Sequence, residues 1–147
     1  MRVVLQRVQS ANVSIDGKII AEIRKGLLLF VGITHDDSET DMKYMADKCV
    51  NLRIFEDDAG KMNVSVNDLR AEILVVSQFT LHADTRKGRR PSFIQAAPPH
   101  QALPMFNQFV KLLKESGLKV LVGEFGAHMK VSLTNDGPVT IILDSKN

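Results

Sequence analysis

Three stretches of the chain carry side chains suited to chemistry. The first is Ser77-Gln78-Phe79-Thr80-Leu81-His82-Ala83, which follows directly on the apolar run Ile73–Val76. Polar residues at the point where a strand leaves a core are a common position for a functional site. If the strand continues to Leu81, then Ser77, Phe79 and Leu81 share one face, while Gln78, Thr80 and His82 share the other. Thr80 and His82 are then neighbours, a hydroxyl beside a base. The alternative is a Thr80 bonded to backbone and a His82 on the rim.

The second stretch holds Arg86, Lys87, Arg89 and Arg90, four cations within five residues, with Pro91 after them. Such a cluster suits phosphate contact, although on the residues alone a solvated charge run is the better reading. Phe93 is the one aromatic close to these cations, so stacking of single-stranded bases is not expected. The third stretch, Asn135-Asp136-Gly137-Pro138-Val139-Thr140, has the composition of a turn between strands.

Familiar catalytic signatures are missing. There is no phosphate-binding P-loop, no dinucleotide fingerprint after a strand and no G-x-S-x-G elbow. His35, His82, His100 and His128 lie at least 18 residues apart without ligand-spaced partners, so neither a metal nor a cofactor is expected. Asp57 and Asp58 precede Gly60 but lack the other acidic ligands of a calcium loop, and read as a solvated turn.

The elements that must position these stretches follow from periodicity and turn chemistry. Residues 3–8 open a strand, and Asn12–Ile15 and Lys18–Ile23 flank Asp16-Gly17, a strong hairpin signal. Gly26–Ile33 reads as a strand buried on both faces. A helix is predicted from Ser38, which caps it with Asp41 in a capping box. Its apolar face is Met42, Met45, Ala46, Cys49 and Val50, which makes Cys49 a packing residue. Arg53–Phe55 is a short strand candidate, Ile73–Leu81 a second apolar strand, and 82–100 a long connection. A second helix runs over Gln101–Ser116, with Gly117 just past its end. Leu118–Val122, Met129–Leu133 and Val139–Leu143 close the chain as strands, the last two separated by a turn at Asn135–Pro138. The whole reads as one α/β domain of the α+β type over residues 1–147: a mixed, largely antiparallel sheet or barrel with two main helices.

Composition narrows the setting. With 147 residues, 44% of them hydrophobic and 24% charged, the chain can bury a core without staples. The single cysteine cannot form an internal disulfide, the N-terminal residues do not read as a signal peptide, and the longest apolar run, Leu27–Ile33, is too short for a bilayer. A cytoplasmic, membrane-free protein is the expectation. A net charge of +2 is too small to imply nucleic-acid binding by itself.

Taken in order, SQFTLHA at 77–83, ADTRKGRRPSF at 83–93 and FGAHMKVSLTNDGPVT at 125–140 closely resemble the D-aminoacyl-tRNA deacylase family. Gln6-Arg7-Val8 and RIFEDDAGKMN at 53–63 look like the same family, and the resemblance spans essentially the whole chain. It implies a homodimeric tRNA-editing hydrolase that cleaves the ester between a D-amino acid and the terminal adenosine of tRNA. It also implies a cis Gly137–Pro138 turn that enters the partner's active site and rejects L-residues by clash of Cβ with carbonyl oxygens. Glycine, which has no Cβ, would pass.

On the same resemblance Arg7 holds that turn, and Ser77, Gln78, Phe79 and Thr80 form the catalytic segment. Thr80 matches a proposed nucleophile. The competing account, favoured here, has backbone amides of this segment stabilising the oxyanion while the ribose 2′-hydroxyl helps activate water. Phe79, Phe125 and Met129 would shape the adenosine pocket, with core packing the alternative for Phe125 and Met129. Arg86, Lys87, Arg89 and Arg90 would meet tRNA phosphates.

Overall fold

The computed structural model describes residues 1–147. In chain order the elements are β1 (Arg2–Ile15), β2 (Lys18–Ile23), β3 (Gly26–Gly32), α1 (Glu39–Asn51), β4 (Phe55–Glu56), β5 (Met62–Val64), α2 (Val66–Leu69), β6 (Glu72–Ser77), α3 (Pro99–Lys114), β7 (Val120–Val122) and β8 (Lys130–Asp144). A single 3-10 turn, Phe79–His82, follows β6.

The β1–β2 hairpin forms around Asp16 and Gly17, whose φ angles of 50° and 77° are the left-handed pair this tight turn requires. The main sheet runs β2-β1-β3-β6-β7, with β8 added along β1. β1 pairs antiparallel with β2, β3 and β8, whereas β3–β6 and β6–β7 are parallel. The sheet is mixed and largely antiparallel, as expected, with its parallel pairs confined to β3, β6 and β7. Parallel neighbours need long crossovers, and the segments bearing α1 and α3 supply them. β2 also comes close to β6 and β7, so the sheet nearly closes into a barrel.

β3 and β6 are buried on both faces, as their unbroken apolar runs require. Leu27, Leu29, Val31, Ile73 and Val75 pack with Met45, Cys49, Phe106 and Phe109 of the helices. Leu28, Leu74 and Val76 pack on the opposite side against Val8, Val13 and Ile23. Each such side chain contributes roughly 1.5–3 kcal/mol when fully buried. Cys49 is fully buried, which pushes its thiol up to about 12 and leaves it unreactive.

α1 starts as its capping box predicts: Asp41 N–H donates to Ser38 Oγ, and the Asp41 carboxylate accepts from Ser38 N–H. A second capping box, Ser65 with Asp68, starts the one-turn helix α2, which the periodicity did not reveal. α3 begins at Pro99, a residue already lacking the N–H that a first helical turn leaves unpaired. The short strand expected over Arg53–Phe55 lies at Phe55–Glu56 and pairs with β5. No helix is long and apolar enough to cross a membrane.

The largest departure from expectation is β8. Met129–Leu133 and Val139–Leu143 are not two strands joined by a turn. Both segments pair with β1 in the same direction, Ser14 with Lys130 through Arg2 with Asp144. Between Val8–Asn135 and Gln6–Thr140, β1 advances two residues while β8 advances five. The three extra residues leave the sheet as a loop bearing Gly137 and Pro138, joined by a cis peptide bond.

Candidate active site

The parallel centre of the sheet decides where a site can sit. β3, β6 and β7 end on the same side, and crevices at the carboxyl ends of parallel strands are the usual ligand positions in such sheets. Here Val31 and Ile33 from the end of β3 and just beyond it, Val76–Phe79 from the end of β6 and the start of the turn, and Phe125–Met129 from beyond β7 line one cleft of about 620 Å³. Ser77, Gln78, Phe79, Phe125 and Met129, separated by up to 52 positions in sequence, meet there.

Gln78 N–H donates to the Val31 carbonyl at 2.7 Å, the last bond before the chain turns. Leu81 N–H then returns to the Gln78 carbonyl at 3.2 Å and Ala83 N–H to Thr80 at 3.1 Å. The turn folds over Gly32, where an added Cβ would stand 2.9 Å from Gln78 O and 3.0 Å from the His82 ring. Only glycine permits so close an approach.

This turn corrects the expected strand to Leu81 and, with it, the Thr80–His82 pair. Thr80 is exposed and its Oγ1 accepts from Gln78 Nε2. His82 is buried, neither a rim residue nor a base for Thr80, and its Nε2 has no hydrogen-bond partner. Burial holds its pKa below the usual histidine value. His82 is thus not placed as a general base for Thr80. The amides of Phe79 and Thr80, at the start of the turn, have no acceptor within it.

Phe93 was visible in sequence only as a lone aromatic beside cations. It lines the cleft and meets Phe79 edge to face, ring centroids 5.2 Å apart. Phe125 packs at 5.7 Å from Phe106 of α3, so it bridges core and cleft. Met129 lies over Gly123, whose added Cβ would stand 2.8 Å from the sulfur. His128 also lines the cleft, and no sequence signal marked it.

The basic loop is pinned at its base. Asp84 and Ser92 exchange backbone hydrogen bonds of 2.8 and 2.9 Å, and Gly88 turns the chain at φ 68°. Arg86 is committed to Asp84 through contacts of 2.9 and 2.6 Å, which hold the Asp84 carboxyl down at about 2. Lys87, Arg89 and Arg90 are exposed and form no ion pair.

Arg7, Gly137 and Pro138 do not line this cleft. Arg7 is buried beneath the loop, donating from Nε to the Asp136 carbonyl at 2.8 Å and from Nη1 to the Ile54 carbonyl at 2.7 Å. Gly137 takes φ 148°, and a Cβ there would lie 2.7–2.8 Å from Val139. Gly137 and Pro138 are exposed.

The D-Tyr-tRNA(Tyr) deacylase family pattern matches residues 4–144. The chain belongs to this family. It is 55% identical over 146 residues to the D-aminoacyl-tRNA deacylase of Thermosipho africanus (strain TCF52B), covering 99% of this chain and 98% of that one. With the D-aminoacyl-tRNA deacylase of Halothermothrix orenii it shares 60% identity over 145 residues, covering 99% and 97%. Among solved structures it resembles the c-Myc DNA Unwinding Element Binding Protein at 42% identity and TM-score 0.92, covering 98% of each chain. The fold is also that of a probable eukaryotic D-amino acid tRNA deacylase, at TM-score 0.85 and 17% identity over 97% of each chain. As a member of the deacylase family, the protein is a hydrolase acting on aminoacyl-tRNA. An apolar cleft with few polar groups suits such an enzyme, because an aminoacyl ester is a reactive bond that needs positioning more than activation.

Proposed function

We propose that this deacylase cleaves the ester between a D-amino acid and the terminal adenosine of tRNA in the cleft at Ser77–Phe79, as a homodimer in which the Gly137–Pro138 loop of each copy completes the cleft of the other. The observation that carries this reading is the loop itself. Three extra residues are extruded from the middle of a strand, braced by a buried arginine and exposed at the tip, yet they stand outside their own chain's cleft. A braced protrusion with no internal partner fits a neighbouring copy. On the sheet face away from the helices, Val4 pairs in register with both Phe30 and Ile142, and Ile142 is 69% exposed. Such an apolar strip suits a subunit contact.

In this arrangement backbone amides of the Ser77–Thr80 segment stabilise the oxyanion that forms when water attacks the ester carbonyl. Thr80 has no base at hand and is not the nucleophile; Gln78 holds its hydroxyl and orients the turn. The ribose 2′-hydroxyl of the substrate assists the attacking water. Phe79, Phe125 and Met129 receive the adenosine, and Lys87, Arg89 and Arg90, with Arg86 behind them, meet tRNA phosphates. The loop's carbonyls leave no room for an L-side chain at Cα, so discrimination works by exclusion, and glycine is accepted.

The test is deacylation of D-tyrosyl-, L-tyrosyl- and glycyl-tRNA, with molecular mass measured by light scattering. The expected result is a dimer that cleaves the D- and glycyl esters and spares the L-ester. Equal cleavage of D and L, rejection of glycine alongside acceptance of D, or a fully active monomer overturns this reading.

A further inference from the structure

The neck of the Gly137–Pro138 loop is closed by one side chain. Asn135 Nδ2 donates to the Val139 carbonyl at 3.0 Å, and Asn135 Oδ1 accepts from Val139 N–H at 2.7 Å. A carboxamide used in this way makes both hydrogen bonds that a facing residue makes in an antiparallel ladder. β1 offers no residue in register with Val139, because Arg7 alone stands opposite the loop and is bonded to Asp136 and Ile54. The same Nδ2 also donates to Thr140 Oγ1 at 3.1 Å, which accepts in turn from Gln6 Nε2 at 3.1 Å. Val139 is buried, whereas Gly137 and Pro138 just before it are exposed. Asn135 therefore joins the fixed foot of the loop to the strand on either side.

We infer that Asn135 is a positioning residue for chiral selection. Its carboxamide sets the separation of the two ends of the loop, and so the pose in which Gly137 and Pro138 meet an aminoacyl group in the other copy's cleft. This rests on the reading of the loop given above. Asn135 touches no substrate; it acts through the backbone of Val139. The carboxamide supplies a donor and an acceptor on one short side chain, so the two bonds to Val139 are made together and are lost together when it is truncated. Losing both bonds at a partly buried neck leaves the loop free to splay, and selection by steric exclusion fails when the excluding atoms can move.

The experiment compares wild type, Asn135→Ala and Asn135→Asp for kcat/KM on D-tyrosyl- and L-tyrosyl-tRNA, with thermal melting recorded for each. Asn135→Asp keeps size and an acceptor for Val139 N–H but loses the donor. A folded Asn135→Ala is expected to lose at least about tenfold of the D-over-L ratio, the effect of one forfeited hydrogen bond, with Asn135→Asp intermediate. A folded Asn135→Ala that keeps the wild-type ratio overturns the inference. Amide hydrogen exchange on the wild-type protein supplies a second readout that no folding failure can remove. Val139 N–H should be protected while Gly137 N–H exchanges freely, and equal exchange at the two overturns the inference. Wild-type protein that cleaves both esters equally brings down the chirality-filter reading and this role together, a failure recognised without any variant.

Discussion

Arg7 and Asp136 are tied across the gap where β1 and β8 fall out of register, the Arg7 Nε donating to the Asp136 carbonyl at 2.8 Å. The other end of the guanidinium holds the Ile54 carbonyl, on the segment after α1, at 2.7 Å. One planar group thus fixes the loop to two parts of the fold at once. Arg7→Lys keeps the charge but supplies no rigid fork, so one carbonyl loses its partner at a cost of about 1–3 kcal/mol. Arg7→Lys is expected to melt at lower temperature and to lose D-over-L selectivity as well as D-rate. Unchanged melting and unchanged selectivity would show that the brace is dispensable.

Thr80 offers a cleaner test of chemistry. Its hydroxyl is exposed, accepts from Gln78 and has no base beside it, since His82 points into the interior. Thr80→Ala should retain measurable deacylation, reduced by about tenfold or less, the loss of one orienting hydrogen bond. An acyl ester trapped on Thr80, or a folded and wholly inactive variant, would return the nucleophilic role to it.

The four cations of the basic loop are not equivalent. Arg86 is already paired with Asp84, whereas Lys87, Arg89 and Arg90 carry no ion pair. Replacing Lys87 and Arg89 by glutamine should weaken tRNA binding and lower the slope of log K against log[salt] by about 1.4–1.8. Arg86→Gln should change the slope less. A slope indifferent to the double replacement identifies the loop as a solvated charge run.

His82 predicts a stability change in mild acid. Burial opposes its protonation, Arg2 and the terminal amine of Met1 add to that opposition, and the backbone of Gly32 and the carboxylate of Asp37 favour the charged ring. The net pKa is lowered in the folded state, so between the folded and unfolded values the unfolded chain binds more protons and stability rises with pH. The contribution is complete above the unfolded value of about 6.5 and is lost as pH falls through the folded value. Melting temperature should therefore decline from pH 7 toward pH 5. His82→Leu should flatten that decline, and a variant with the same pH slope as wild type would exclude His82 as its source. Asp84, held at about 2, acts in a separate and more acid window.

What could be read from the sequence was whatever short-range chemistry decides. The Asp16-Gly17 hairpin and the Ser38–Asp41 cap form where they were expected, because each needs only its own few residues. The end of β6 was not legible. Whether Phe79–His82 continues a strand or turns depends on Gly32, 47 positions before Phe79, leaving room for the turn. Asn135–Pro138 has the composition of a turn whether it joins two strands or bulges from one, and only the register with β1 distinguishes the two. Phe93 acquires meaning through Phe79, 14 positions earlier, once the loop between them is closed by Asp84 and Ser92. Ser77–Thr80 stood out by their place after an apolar run, and Arg7, Phe125 and Met129 by resemblance; the fold gathers only part of them into one cleft.

The position of the Gly137–Pro138 loop inside a continuous strand has a further consequence. Strand on both sides is locked to the same neighbour, from Lys130 opposite Ser14 to Asp144 opposite Arg2. A residue added or removed between Asp136 and Pro138 would therefore be absorbed by the protrusion, without sliding the flanking strand by one position and turning its buried side chains outward. The Gly137–Pro138 loop is thus mechanically a tooth on a fixed bar, whose own length can change without moving the bar that carries it.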